Sequence, residues 1–165
     1  MTPIYIRPLV LADAKTSFNW RNDPEVWEYT EYQPDLYISP ELEEEWLKAK
    51  LSRVNEKRFA ICLEENDQYI GNIQLLDIDG EKASYHIFIG EKSFWGRGIS
   101  QSATKLILAY AFSELNLENV SLEVNPLNVP AWKAYQKVGF ESIGENKKNG
   151  FMKMAISKNE FLTIL

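Results

Sequence analysis

The chain has 165 residues, of which 18 are basic and 24 acidic, so its formal net charge at pH 7 is −6. That balance argues against a nucleic-acid partner, because a nucleic-acid binder needs a basic face to neutralise phosphates. No apolar run approaches the roughly 18 residues that span a membrane, so we expect no membrane partner either.

The length and the cysteine content narrow the class of protein further. At this length we expect one domain, residues 1–165. The chain start lacks the basic and apolar segments of a signal peptide, and the lone Cys62 cannot form an internal disulfide. We therefore expect a cytoplasmic protein with Cys62 as a small core residue. One cysteine and one histidine without ligand spacing cannot build a zinc site, so no metal is expected.

The first third of the chain predicts a strand, a helix, an irregular segment and a second helix. Residues 4–7 alternate as in a short strand, and residues 13–20 have helical spacing that Pro24 should end. Residues 25–37 mix acidic and aromatic side chains without periodicity. They form either a surface loop with aromatic anchors or a binding loop, since aromatics with carboxylates suit an amine or a flat ring. Residues 39–51 predict the second helix, with acidic first turns and a basic end.

A glycine turn follows three strands that are expected to be antiparallel, residues 58–63, 69–76 and 83–89. Gly96 and Gly98 form this turn, and an apolar helix over residues 99–115 begins at once. The glycines let the backbone approach a ligand closely, and residues 97–101 would present free N–H groups at the positive end of the helix dipole. The pattern predicts an anion site that favours phosphate, with an ordinary tight turn as the alternative.

A second strand–helix unit lies further along the chain. Residues 120–124 predict a buried strand, and Asn128 and Gly139 mark the start and end of a short helix. Residues 140–144 and 151–156 predict a closing pair of strands around a polar turn.

The chain resembles the GNAT superfamily of acyl-CoA N-acyltransferases in two motifs, Trp95-Gly96-Arg97-Gly98-Ile99-Ser100 and Asn128-x-x-Ala131-x-x-x-Tyr135-x-Lys137-x-Gly139-Phe140. Trp95 and Ser100 depart from the usual pattern, and Trp95 is similar to what ribosomal-protein-alanine N-acetyltransferases and their relatives often carry. The resemblance implies an α/β (α+β) fold with a mixed sheet of about seven strands and about four helices, in the order β-α-α-β-β-β-α-β-α-β-β. In that fold the sheet splays near Val124, where the family places the acyl thioester.

The resemblance also implies acetyl-CoA as the co-substrate. Backbone amides of the glycine turn would hold its pyrophosphate, and backbone groups of the preceding strand would pair with the pantetheine arm as an added strand does. Asn128 corresponds to the family residue that hydrogen-bonds the arm, with a simple helix cap as its alternative role. The implied cofactor-binding residues are Arg97, Gly98, Ser100, Gln101, Phe88, Ile89, Asn128 and Lys137.

Tyr135 falls where the family places a general acid that protonates the leaving thiolate. A phenol with a pKa near 10 suits that role, and packing on the buried helix face is the alternative. The general base stays open, because related enzymes carry a glutamate where this chain has Tyr85. His86, Glu123 and Glu31 are the candidates, although a lone histidine in a strand is commonly structural.

The expected function is that of an acetyl-CoA-dependent N-acetyltransferase. A primary amine would attack the acetyl thioester directly in a ternary complex, and backbone N–H near Ile89 would stabilise the tetrahedral oxyanion. The acceptor is left open among protein N-termini, polyamines, aminoglycosides and nucleotide-linked amino sugars. The alternative is a non-catalytic acyl-CoA-binding or sensing module. The sequence also leaves open whether two copies associate as a homodimer.

Overall fold

A seven-stranded mixed β-sheet lies at the centre of the computed structural model, which describes all 165 residues. In chain order the strands are β1 (Ile4–Pro8), β2 (Lys57–Leu63), β3 (Tyr69–Leu76), β4 (Lys82–Ile89), β5 (Asn119–Val124), β6 (Glu141–Glu145) and β7 (Met152–Ser157). They lie side by side in the order β1-β2-β3-β4-β5-β7-β6. Neighbouring strands are antiparallel except β4 and β5, which are parallel, so the predicted mixed sheet is confirmed.

Five α-helices complete the fold: α1 (Ala14–Arg21), α2 (Pro40–Leu51), α3 (Ile99–Ser113), α4 (Val129–Val138) and α5 (Lys158–Ile164). Two short 3-10 turns, Leu11–Asp13 and Lys92–Phe94, precede α1 and the glycine turn. The predicted element order is confirmed as far as β7. The predicted count of about four helices is one too few, because the chain continues into α5. None of these helices combines the length and apolar character needed to cross a membrane.

A capping box starts α5. The Ser157 hydroxyl accepts a hydrogen bond from the Glu160 N–H, and the Glu160 carboxylate accepts one from the Ser157 N–H, both at 3.1 Å. Phe161, which is buried, then packs on Phe112 of α3 with ring centroids 5.6 Å apart. The spacing Ser-x-x-Glu before an apolar residue is a sequence signature of a helix start, so α5 was predictable.

Side chains divide between two apolar layers, one on each face of the sheet. The larger layer has 26 buried residues and lies between the sheet and α3, α4 and α5. The smaller has seven buried residues, lies under α1 and α2, and includes Cys62, whose predicted core position is confirmed. Along β2, Phe59 and Ile61 belong to the larger layer and Ala60 and Cys62 to the smaller. This is the period of two that a strand buried on both faces requires.

The long segment between α1 and α2 is a fixed loop. At its base the Asn22 side chain donates to the Ile38 carbonyl and accepts from the Ile38 N–H, both at 2.8 Å. Trp27 is buried, donates its indole N–H to the Trp20 carbonyl at 2.8 Å, and packs against the Phe88 ring. The predicted aromatic anchor of this loop is therefore confirmed at Trp27.

Arg21, at the end of α1, fastens the same loop to α2. Its guanidinium lies 4.8 Å from the Trp27 ring and 4.5 Å from the Trp46 ring. It forms an ion pair of 3.2 Å with the buried Glu43, which also accepts a hydrogen bond from the Ser17 hydroxyl at 3.1 Å. Because every charge in this cluster has a partner, the cluster can be buried without an isolated ion.

We expect the α5 capping box to contribute measurably to stability. Ser157→Ala removes the hydroxyl acceptor and should lower the free energy of unfolding by about 1 kcal/mol. In a domain of this size that loss corresponds to a fall in Tm of about 2–4 °C. Thr163→Ala is the matched control, because its exposed hydroxyl bonds only the Asn159 carbonyl one turn back. Equal Tm values for the two variants in thermal denaturation would contradict the prediction.

Candidate active site

The sheet opens between β4 and β5. The two strands pair at only three positions, residues 82–84 with residues 119–121. Beyond these positions they separate around a cavity of about 670 Å³ that Val124 helps to line. The predicted opening of the sheet near this residue is confirmed. The cavity walls bring together all four candidate catalytic residues, Tyr135, His86, Glu123 and Glu31.

The end of β4 presents unpaired backbone groups to this opening. Opposite residues of an antiparallel pair alternate between bonded and non-bonded positions. Since the Gly90 N–H bonds the Ile70 carbonyl at 2.8 Å, the next bonded pair is Phe88 with Asn72, and the Phe88 carbonyl points toward β3. The prediction that backbone groups of Phe88 pair with a ligand is therefore wrong. Ile87, which lines the cavity, faces the opening instead.

Ile89 has two backbone groups that face the opening, its carbonyl and its N–H, and Trp95 forms a hydrogen bond with the carbonyl. Its indole N–H donates to the Ile89 carbonyl at 2.8 Å. The Ile89 N–H, which by the same alternation faces away from β3, is left for a ligand. The departure from the family pattern at Trp95 thus has a structural role, since the indole fastens the glycine turn to the end of β4.

The glycine turn has the backbone geometry of an anion site. Gly96 and Gly98 have φ angles of 76° and 75°, which cost an L side chain roughly 1–2 kcal/mol each. The backbone N–H groups of residues 97–101 have no acceptor within the protein. They lie at the positive end of the α3 dipole, where an anion is favoured. These unpaired groups include those of the predicted residues Arg97, Gly98, Ser100 and Gln101.

Asn128 stands at the start of α4, but its side chain makes no capping hydrogen bond. Its alternative role as a simple helix cap is therefore wrong. The residue lines the cavity with its amide unpaired, which leaves the amide free for a ligand. Lys137 is exposed in the last turn of α4 and does not line the cavity. The structure therefore does not bring Lys137 together with the other predicted cofactor residues.

Tyr135 combines burial with an unpartnered hydroxyl. The residue is 8% exposed, packs edge-on to Tyr85 with ring centroids 5.8 Å apart, and lines the cavity. No side chain or backbone group of the protein bonds its hydroxyl, which solvent reaches. Burial raises the pKa of Tyr135 above its ordinary value, so the phenol keeps its proton at neutral pH. The Tyr135 ring is therefore packed in the core while its hydroxyl remains accessible from the cavity.

Tyr85 does not take the place of the missing glutamate. Its side chain turns to the core face, is 2% exposed, and its hydroxyl lies 2.5 Å from the Thr104 hydroxyl. Thr104 in turn donates to the Ser100 carbonyl in the first turn of α3. Tyr85 is thus a structural link between β4 and the glycine turn.

His86 lies on the opposite face of β4 and lines the cavity. The residue is exposed to solvent. Desolvation by neighbouring protein atoms, followed by the charge of Arg58, lowers the pKa of His86 below its ordinary value, so the imidazole is neutral at pH 7. No group of three or more His, Cys, Asp or Glu side chains is arranged to hold a metal ion.

Two asparagines of the β6–β7 turn hold the two candidate carboxylates. The Asn149 amide donates to Glu31 at 2.6 Å, and the Asn146 amide donates to Glu123 at 2.9 Å. Neither carboxylate forms an ion pair, although the sheet register places Lys153 on β7 directly opposite Glu123. These two asparagines had no signal in the sequence, because contacts between a turn and a distant loop leave no local pattern.

A sheet that opens between two parallel strands, with an anion site at the start of the following helix, defines a class of acyl-CoA-dependent acyltransferases. The family model described as an acetyltransferase (GNAT) domain matches residues 4–141, so the chain belongs to this family. It is an N-acetyltransferase, and acetyl-CoA is its co-substrate. The family resemblance expected from the two motifs is confirmed.

Several N-acetyltransferases are similar to this chain. A probable N-acetyltransferase, YjcK, of Bacillus subtilis is 28% identical, and the alignment covers 98% of this chain and 93% of the relative. An uncharacterised N-acetyltransferase, p20, of Bacillus licheniformis is also 28% identical over 84% of this chain and 79% of the relative. Among solved structures, the spermidine N-acetyltransferase of Vibrio cholerae in complex with CoA and spermine superposes with a TM-score of 0.85. It is 24% identical and covers 96% of this chain and 98% of its own.

We expect Gly98→Ala to weaken CoA binding beyond its effect on stability. An added Cβ at Gly98 meets no atom closer than 3.8 Å, so only the left-handed φ of 75° is disfavoured. Relief of that strain would turn the N–H groups of residues 97–101 away from their common direction. Isothermal titration with CoA should therefore show an affinity lower by about tenfold.

Gly80→Ala is the matched control for backbone strain. Gly80 has a φ of 97° in the β3–β4 turn, with no atom within 4 Å of an added Cβ. Both variants should lose Tm, but the control should bind CoA as the wild type does. Equal CoA affinity in the two variants would show that the glycine turn does not bind the cofactor.

Proposed function

We propose that this chain transfers the acetyl group of acetyl-CoA to a small primary amine that carries further positive charge, with a polyamine as the first candidate. One observation carries the proposal. A cavity at the opening of the sheet combines the unpartnered Tyr135 hydroxyl with two carboxylates, Glu31 and Glu123, that only neutral amides hold. A proton donor and two carboxylates that form no ion pair, in one cavity, suit a cationic amine as the acceptor.

The cofactor side of the proposal rests on backbone groups. The five N–H groups of residues 97–101 are positioned to bind a pyrophosphate. The free edge of β4 at Ile87, together with the unpaired Asn128 amide, supplies partners for a pantetheine arm, and the Ile89 N–H is kept for the acyl end of the cofactor. When bound, acetyl-CoA supplies the activated acetyl thioester. Arg97 and Gln101 remain among the proposed cofactor-binding residues. Lys137 remains a prediction, and no contact supports it.

His86 and Tyr135 each carry out one of the two proton transfers in the proposed reaction. His86 takes a proton from the acceptor ammonium, because its imidazole lines the cavity and its lowered pKa keeps it unprotonated, and so able to accept a proton, at pH 7. Tyr135 gives its proton to the leaving thiolate, since burial holds the phenol in its protonated form. The Ile89 N–H is placed to stabilise negative charge on the acyl oxygen. Glu31 and Glu123, the other two base candidates, are assigned here to binding the acceptor.

Charge at the cavity supports the choice of acceptor class. The wall of the cavity carries Glu31 and Glu123 against one lysine, Lys153. The Vibrio cholerae structure with the same fold acts on spermidine and contains spermine, and we extend that acceptor class to this chain as part of the proposal. Peptide N-termini, aminoglycosides and nucleotide-linked amino sugars are the competing acceptors. The narrower resemblance to ribosomal-protein-alanine acetyltransferases predicts the peptide.

Tyr135→Phe separates a catalyst from a sensing module. If Tyr135 protonates the thiolate, its loss should lower kcat by about a hundredfold or more while CoA binding is retained. Release of free CoA measures the rate, and isothermal titration measures binding. Tyr110→Phe is the matched control, because Tyr110 lies on α3 against Phe59, away from the cavity. A wild-type protein that binds acetyl-CoA without turnover on any amine would favour the sensing module.

A panel of amines tests the acceptor class directly. We expect CoA release with spermidine to exceed release with an aminoglycoside, an alanine-starting peptide or a nucleotide-linked amino sugar. Glu31→Gln and Glu123→Gln should each raise the KM for spermidine by about two- to fivefold. Each should also weaken the salt dependence of KM, since salt screens exposed charges over about 10 Å at 0.1 M.

Glu65→Gln is the control for the acceptor prediction. This exposed residue lies in the β2–β3 turn, outside the cavity, and its loss changes net charge by the same amount. Its KM should equal that of the wild type. Faster turnover of the peptide than of spermidine would overturn the polyamine assignment and favour the ribosomal-protein group.

A further inference from the structure

Gln74 carries the one buried side-chain nitrogen or oxygen in this protein without a hydrogen-bond partner, its Oε1. A buried acceptor left unpaired costs roughly 1–3 kcal/mol, so such groups are rare in folded proteins and call for an explanation. Other buried polar groups nearby are satisfied. Asn72, two residues earlier on β3, accepts a hydrogen bond from the Tyr69 hydroxyl.

The register of the sheet places Gln74 directly between Arg58 on β2 and His86 on β4. Directly opposite residues on neighbouring strands have their Cβ atoms about 4.5–5.5 Å apart on the same face, within reach of a glutamine and an imidazole. Arg58 directs its Nε and Nη2 donors to the buried Glu56, with the shortest ion-pair distance 3.1 Å, and keeps Nη1 without a partner. His86 lies on the other side of Gln74 and its side chain makes no hydrogen bond within the protein, so its imidazole N–H is free to donate.

We propose that Gln74 is a positioning residue for His86: its Oε1 accepts the N–H of one imidazole nitrogen and so directs the lone pair of the other nitrogen into the cavity. This inference rests on the proposed role of His86 as the base. A neutral imidazole has one donor and one acceptor nitrogen, so fixing the donor fixes the basic site. Such a bond satisfies the unpaired Gln74 oxygen.

The proton transfer balances with this arrangement. The free nitrogen of His86 takes one proton from the acceptor ammonium and leaves a neutral amine and an imidazolium. The amine nitrogen forms a bond to the acetyl carbon, the carbon–sulfur bond breaks, and Tyr135 protonates the thiolate. The extra proton left on the new amide nitrogen passes to the Tyr135 phenolate, which restores the phenol and leaves a neutral amide. In the imidazolium both nitrogens carry protons, and Gln74 continues to accept from one of them, so the hydrogen bond persists through the transfer.

The charged groups around His86 come from several elements. Besides burial, Arg58 on β2 lowers the pKa of His86, whereas Asp77 after β3 and Glu123 on β5 raise it. Glu31 and Lys153 line the same cavity. Gln74 is neutral, so its effect should fall on the tautomer and orientation of the ring more than on its charge.

The single histidine of the chain makes the proposal directly measurable. In a sample without a histidine tag, a long-range proton–nitrogen NMR spectrum reports the tautomer of His86 alone. We expect one dominant tautomer in the wild type and a mixture in Gln74→Met, which keeps the size of the side chain and removes the acceptor. The kcat/KM of Gln74→Met should fall roughly tenfold, as for the loss of one hydrogen bond to a reacting group.

Gln74→Glu and Gln68→Met complete the test. A carboxylate beside the imidazole should raise the pKa of His86 by about one unit and move the acidic limb of the kcat/KM profile to higher pH. Gln68→Met, on the exposed β2–β3 turn, should leave the NMR spectrum and the kinetics unchanged. The proposal is overturned if wild-type His86 shows a tautomer mixture, or if Gln74→Met keeps the wild-type tautomer. If wild-type His86 shows one tautomer but the protein turns over no amine, the contact with Gln74 is supported and the proposed function is rejected.

Discussion

The site depends on the short ladder between β4 and β5. Parallel strands in a mixed sheet normally continue their ladder, but here it stops after three residues on each strand. The backbone groups beyond that point remain unpaired on the inner edge of β4. A free edge in the middle of a sheet invites an added strand, as an exposed outer edge does. The same separation makes the cavity, so the proposed cofactor and acceptor sites meet where the ladder ends.

The two faces of the sheet carry different kinds of side chain around this opening. On the α3 face, Tyr85 and Thr104 connect β4 to the first turn of α3, and Tyr135 packs against Tyr85. That face is apolar and fixes the backbone that binds an anion. On the α1–α2 face, a polar row of Arg58, Gln74 and His86 crosses three strands. Alternation along β4 thus places a packing residue and a reactive residue next to each other in sequence.

Much of the fold was predictable from local patterns. The strand over residues 69–76, the glycine turn and the helix from Asn128 to Gly139 follow from periodicity, positive φ and helix-end residues. The α5 helix was missed although its capping box stands in the sequence. The error at Phe88 has a different cause. Which backbone groups of a strand face a neighbour depends on register, and register is set by pairing that no single strand encodes.

The site was only partly predictable for the same reason. Family motifs pointed to Tyr135 and Asn128, and the sequence also provided His86, Glu31 and Glu123 as candidates by residue type. Their meeting in one cavity depends on contacts between segments far apart in the chain. The roles of Asn146, Asn149 and Gln74 had no sequence signal, because each is defined by a partner more than ten residues away or by the lack of one.

The β6–β7 turn has an implication for how this enzyme could diversify. Asn146 and Asn149 lie in a surface connection that carries no part of the core, and such connections accept substitutions and changes of length more readily than strands do. Yet this turn sets where two negative charges stand in the acceptor cavity. If the proposed site is correct, selectivity for amines of different length can drift through mutation of one exposed hairpin, while the proposed acid, base and CoA-binding backbone stay under a separate and stricter constraint.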